Sequence, residues 1–289
     1  MMKKLAFFTL IFLFSSVSIS LAADLGSSSS LGDTLVYVGE HLGEMMPDDG
    51  KYLFGSVVQD TGDIFKVPFE SGENGIFNTK SLLTGTLLLG SIPATIYGLD
   101  NRIRRNARNI DDGTAGALKN IGLGVTLGGL GAVYGWGVYS HDEGARHVAL
   151  TGVEGIGVAS LIGVVAKAAF GRKRPRDGGG PRGFLRGGSS FPSGKSIMAF
   201  SAAAALSEGF NNRWWAAIPA YGLASMTGIG RMGKDAHWAS DVLASALIGV
   251  GTTKLLFYLH RRRDWPSSLA IAPLVTDEGV AGAALTFRW

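Results

Sequence analysis

The sequence predicts an all-α protein, a six-helix bundle with an irregular N-terminal extension and a small C-terminal β-hairpin, and three observations carry that prediction. Six apolar segments of helical length recur near residues 79–98, 115–138, 147–170, 194–209, 213–229 and 236–260, each too long for an ordinary strand. The separators between them are turn signals: Asp111-Asp112-Gly113, His141-Asp142-Glu143-Gly144 and the Gly-rich stretch from Asp177 to Ser190. The 43 glycines fall mostly inside the apolar segments beside alanine and serine, where small residues let helices approach closely.

Outside the six segments the pattern changes. Lys3 and Lys4, the apolar run Leu5 to Phe14 and the small-residue site Ser20-Leu21-Ala22 read as a secretory signal peptide over 1–22, so the mature chain is expected to begin at Ala23. An uncleaved anchor is the alternative, disfavoured because the apolar run is short and ends in serines. Residues 23–78 are polar and read as an irregular extension, and 79–263 as the helical domain. Within 264–289, the β-prone runs Leu269 to Val275 and Ala281 to Trp289 flank Asp277-Glu278-Gly279, a hairpin pattern. A terminal aromatic also suits an outer-membrane barrel strand, but a barrel needs at least about eight strands and two are visible.

Composition narrows the chemistry. Apolar residues make up 46% and charged ones 17% of 289 residues, and the mean hydropathy is +0.22, between an ordinary soluble enzyme and a polytopic membrane protein. With no cysteine, disulfides, thiolate nucleophiles and zinc-thiolate sites are excluded, and the five histidines are too scattered for a metal cage. No metal or cofactor is expected. The net charge of +4 is modest and its arginines are clustered, which favours local anion binding over a nucleic-acid surface.

Three polar clusters sit at the helix junctions. Lys167 precedes Arg174-Pro175 by seven positions at the end of the third segment; the two cations can converge on one anion, the guanidinium donating in parallel to phosphate oxygens. A basic helix end complementing the macrodipole explains this pair equally well. Phe191-Pro192-Ser193-Gly194-Lys195 opens the fourth segment. Ser193 is placed to cap that helix, and the free N–H groups around Gly194 suit an oxyanion; plain capping is the simpler alternative. Gly230-Arg231 is followed by His237 and Asp241. Placed on the sixth helix, His237 and Asp241 form an i, i+4 pair, so the carboxylate can hold one ring nitrogen and leave the other as a nucleophile; a structural His–Asp pair has the same spacing.

In order and spacing these clusters resemble the signature of the type 2 phosphatidic acid phosphatase and vanadium haloperoxidase superfamily, Lys-x6-Arg-Pro, then Pro-Ser-Gly-His, then Ser-Arg-x5-His-x3-Asp. The resemblance covers about Ser81 to His260. It implies that Lys167, Arg174, Ser193, Gly194 and Arg231 bind phosphate, that His237 attacks phosphorus to form a phosphohistidine, and that Asp241 orients His237.

The chain departs from the signature twice. Gly230 replaces the serine before Arg231, and Lys195 replaces the histidine that protonates the leaving group. Loss of a general acid costs about 10² to 10⁴ in rate, and a lysine beside bound phosphate holds its proton because the anion offsets desolvation. The resemblance implies a phosphatase acting on a phosphomonoester or diphosphate, with lipid phosphate the expected substrate and a membrane surface or bilayer the expected partner. A weakened or inactive member that binds phosphate is the alternative. A haloperoxidase is disfavoured, because that chemistry needs the replaced histidine. If all six segments spanned a bilayer after signal cleavage, the clusters would face the cytoplasm, so an exported, periplasmic, membrane-associated domain is expected ahead of an integral inner-membrane one.

Overall fold

The computed structural model describes residues 98–262, together with Asp49, a few positions between 92 and 96, and the strand positions 270–275 and 281–286. The helices are α1 (Asp100–Ala107), α2 (Asp112–Tyr139), α3 (Glu143–Phe170), α4 (Gly194–Gly209), α5 (Trp214–Gly233) and α6 (Ala239–Arg262), with a 3₁₀ turn at Pro175–Asp177. The helical region is all-α. The first expected segment, 79–98, falls mostly outside the described residues, as do the signal peptide and nearly all of the extension. Helix α1 was not foreseen: its sequence, Asp-Asn-Arg-Ile-Arg-Arg-Asn-Ala, is too polar to register as an apolar segment. Strands β1 (Ala270–Val275) and β2 (Ala281–Thr286) pair antiparallel, with Ala270 opposite Thr286.

Local chemistry sets the helix ends. Asp111 caps α2 by accepting from the Thr114 N–H at 2.9 Å, and Asp142 caps α3 by accepting from Ala145 at 3.0 Å. Helix α3 stops at Gly171, whose φ of +46° a residue with a Cβ rarely adopts.

Helix α4 is central. Ala199 and Ala202 to Ala205 are fully buried, and the helix touches α2, α3, α5 and α6. Such close neighbours require small residues. A Cβ on Gly152 would lie 2.7 Å from that of Ala205, and one on Gly122 would lie 2.3 Å from the Leu223 carbonyl oxygen. Apolar surface is also turned outward: Val153, Leu161, Val164 and Val165 of α3 are exposed. Three helices, Asp112–Tyr139, Glu143–Asp177 and Ala239–Arg261, are long and apolar enough to cross a membrane. Asp49 is tied to the bundle, accepting from Arg146 at 2.7 Å and Tyr134 at 2.9 Å.

Candidate active site

The loop joining α3 to α4 folds back on the helix it leaves. Leu185 donates to the Phe170 carbonyl, Arg186 and Gly188 to that of Gly171, and Ser190 to that of Arg172. Phe170, Phe184 and Phe191 pack edge to face, with centroids 5.1 to 6.1 Å apart. This holds residues 189–193 against the end of α3. Lys167 Nζ donates to the carbonyls of Ser189 at 3.0 Å and Pro192 at 2.6 Å, and Arg174 Nη2 donates to Ser189 Oγ at 3.1 Å. The first cluster is thus tied to the second.

The third cluster reaches the same loop, by a route that corrects the sequence reading. Helix α6 begins at Ala239, so His237 lies in the turn before it, and the two residues are not an i, i+4 pair on one helix face. Its Nδ1 lies 2.7 Å from the Ser190 carbonyl oxygen and 3.6 Å from Asp241 Oδ2. The backbone carbonyl, not the carboxylate, takes the direct hydrogen bond. Because a carbonyl can only accept, Nδ1 carries the proton and the lone pair is left on Nε2. Nε2 faces Arg231 Nη2 at 3.1 Å. Burial pushes the imidazole below its ordinary pKa and Arg231 pushes the same way, while Asp241 and the Ser190 carbonyl offset part of the shift. At neutral pH the imidazole of His237 is therefore neutral, with its free lone pair on Nε2.

Asp241 acts through its surroundings. Its Oδ2 accepts from Ser190 Oγ at 2.5 Å and from the Trp238 N–H at 2.9 Å, which closes the first turn of α6 in the manner of a capping box. Its Oδ1 is paired with Arg172. Arg172 is fully buried and joins three elements. It donates to Ser240 Oγ at 2.7 Å, to Asp100 Oδ2 at 2.7 Å and to the Pro181 carbonyl, and lies over Phe184 at 4.7 Å and Trp238 at 5.4 Å. Asp100 also accepts from the Ser240 N–H at 2.9 Å and its hydroxyl at 2.7 Å.

Ser193 occupies the N-cap of α4, but its side chain makes no capping hydrogen bond, which corrects the second expectation. Its hydroxyl accepts from Ser196 Oγ at 3.0 Å and its N–H donates to Ser245 Oγ at 2.7 Å. The first turn of α4, with Gly194 and Lys195 exposed, is left open to an anion. Arg231 is shifted below arginine's ordinary pKa, first by burial and then by Arg174 and Arg176, a repulsion that an anion between them relieves. A cavity of about 800 Å³ at the other end of α4, lined by Trp136, Leu206, Phe210, Trp215 and Phe257, contains none of these residues.

Gly230 has a packing reason. A Cβ there would stand 2.5 Å from both the Ala115 carbonyl oxygen and the Lys119 nitrogen, so α2 occupies the space that a serine would need. Gly230→Ser is expected to destabilise the protein by about 1–3 kcal/mol. Thermal unfolding checks this, and an unchanged midpoint would contradict the close contact.

Arg172, Asp100 and Ser190 were missed from sequence. A signal existed for Arg172, which lies in the basic run beside Arg174; none existed for Ser190, which acts partly through its carbonyl.

The model of the PAP2 superfamily matches residues 149–265, a stretch that includes every member of the three clusters. Over 109 residues the chain is 35% identical to the Lipid A 1-phosphatase of Porphyromonas gingivalis, an alignment covering 37% of this chain and 23% of that relative. The match thus spans under a quarter of the relative's length. No solved structure matches the chain.

Proposed function

We propose that the protein is a phosphatase that removes phosphate from a membrane-borne phosphomonoester or diphosphate through a phosphohistidine on His237. The observation that carries this reading is the fixed tautomer of His237, with Nδ1–H on the Ser190 carbonyl and the Nε2 lone pair facing Arg231. In the proposed reaction Lys167, Arg174, Arg231, Ser193 and the Gly194 N–H hold the phosphate. Nε2 attacks phosphorus in line, the P–O bond to the leaving group breaks, and its electron pair departs on that oxygen. Asp241 and the Ser190 carbonyl stabilise the charge gained by the imidazole. Water then attacks phosphorus, the P–N bond returns its electrons to Nε2, and the water proton leaves with the phosphate or to solvent.

The apolar outward face of α3, the three helices long enough to cross a membrane and the likeness to a lipid A phosphatase support a membrane-associated enzyme with a lipid phosphate as substrate. Export to the periplasm is part of the same proposal and rests on the pattern of residues 1–22. The exposed Lys195 favours a second reading, a phosphate binder with little turnover, because a lysine donates its proton reluctantly.

Phosphate release from purified protein, on a panel of alkyl, aryl and diphosphate substrates, separates the two. A leaving group that departs as a stable anion needs little protonation, whereas an alkoxide needs much. Lys195→His is expected to raise kcat/KM on alkyl monoesters about 10-fold or more and to change aryl phosphates little. An unchanged ratio of alkyl to aryl rates removes Lys195 from the position of the acid. Release from no substrate, with phosphate still bound, leaves the binder.

A further inference from the structure

The phosphate cradle described above uses three cationic side chains, and the fold brings two further lysines to its edge, Lys195 from within the signature and Lys119 from outside it. Lys119 lies on α2, before the segment that matches the family. It shares a helix face with Asp112 and Gly116, spaced i, i+4 and i+7. That face packs on the last turn of α5. A Cβ on Gly230 would lie 2.5 Å from the Lys119 backbone nitrogen and 2.9 Å from its Cβ, and one on Gly116 would lie 3.6 Å from Lys234 Cε. Lys119 therefore stands against the Gly230-Arg231 backbone, partly exposed, and its ammonium is disfavoured first by partial desolvation and then by the neighbouring Lys195, Arg231 and Lys234.

The nearby carboxylates are already committed. Asp241 pairs with Arg172, Asp235 with Arg104 at 2.5 Å, and Asp112 with Lys234 at 3.3 Å. Neither Lys119 nor Lys195 has a hydrogen-bond or ion-pair partner among the described residues. An exposed lysine such as Lys195 needs none on its own. A partly desolvated lysine among three cations is different, since burial and then each neighbour raise the cost of its charge. Phosphate in the cradle engages Lys167, Arg174 and Arg231 and leaves these two ammonium groups over.

We propose that Lys119 and Lys195 form a second anion subsite at the rim of the cradle, holding a second negatively charged group of the substrate next to the phosphate that is removed. The proposal rests on the phosphatase reading and specifies its substrate. When the second group is the leaving phosphate of a diphosphate, the P–O–P bridge breaks, the bridging oxygen keeps the electron pair, and the ammonium groups neutralise it without a proton transfer. A lysine at position 195 then suits its task better than a proton donor would. The same subsite accepts a phosphate or carboxylate carried elsewhere on a headgroup.

The test compares wild type, Lys119→Met and Lys119→Arg, as full chains, on a short prenyl diphosphate, the matching monophosphate and a monoester bearing a carboxylate. Lys119→Met is expected to lower kcat/KM on the diphosphate at least about 10-fold more than on the monophosphate, and Lys119→Arg to restore most of the difference. If the carboxylate monoester falls with the diphosphate, the subsite takes any anion; if it falls with the monophosphate, the subsite is specific to phosphate. A loss by the same factor on all three substrates overturns the proposal and leaves the phosphatase reading intact. If wild type releases phosphate from none of them, calorimetric binding of inorganic pyrophosphate and inorganic phosphate replaces the rates. A preference for pyrophosphate that Lys119→Met abolishes then supports the subsite although the enzyme reading has failed, and equal binding of both anions overturns it.

Discussion

His237→Ala is expected to lower kcat for phosphate release by about 10⁴-fold or more, while phosphate binding survives. A removed nucleophile takes the covalent route with it, and what remains is the catalysis that an oriented, anion-stabilising site gives to direct attack by water. The size of the loss follows from geometry. Nδ1–H is held by the Ser190 carbonyl and Nε2 opens toward Arg231, so no other ring nitrogen is positioned to take over. Binding persists because Lys167, Arg174 and the first turn of α4 are unaffected. Steady-state rates with inorganic phosphate as a competitive inhibitor measure both quantities. A variant keeping more than about a tenth of wild-type kcat would contradict the assignment of the nucleophile.

The largest effect on stability is expected at Arg172. Arg172→Met removes the cation between Asp100 and Asp241, and both carboxylates are fully buried. Removing one partner of a buried network leaves uncompensated charge and costs about 3–5 kcal/mol, which for a chain of this size corresponds to a fall of about 10 °C in Tm. Arg172→Lys is expected to recover little, because an ammonium cannot reproduce the fork that reaches Ser240, Asp241, Asp100 and Pro181 together. Paired substitution of Arg172 and Asp100 by apolar residues is expected to be milder than Arg172→Met alone, since it removes one of the stranded carboxylates. Thermal or denaturant unfolding decides it; a loss below about 1 kcal/mol for Arg172→Met would show that the network contributes little.

Arg172 also marks where the sequence stopped being readable. Lys167, Arg174, Ser193, Arg231, His237 and Asp241 could be found because their spacing is a pattern of side chains, and the helices they join are apolar segments with clear breaks. The carbonyl of Ser190 carries no side-chain signature, so the group that fixes the tautomer of His237 could not be seen. The start of α6 was misplaced for a related reason. Trp238 stands at the N-cap, and the capping carboxylate comes from Asp241 three residues later, so the usual Ser, Thr, Asn or Asp signal before the helix is missing. Helix α1 was hidden by its polarity; its buried Asp100 is explained by partners 72 and 140 residues away, Arg172 and Ser240. Gly230 was legible as a departure from the pattern, but its cause, the backbone of α2 pressed against it, is a tertiary contact. Lys119 was invisible for the same reason: a single lysine on an apolar helix has no meaning until α5 is packed beside it.

In the proposed reaction phosphorus passes through a covalent bond to His237 Nε2. Wild-type protein mixed with substrate labelled in the scissile phosphate and quenched within milliseconds in alkaline denaturant, which preserves a P–N bond, tests it most directly. Label is expected on the protein at a level that rises before the steady state, on the peptide containing His237, and is expected to be absent from His237→Ala. Turnover at full rate with no label on the protein, or label on any residue other than His237, would contradict it.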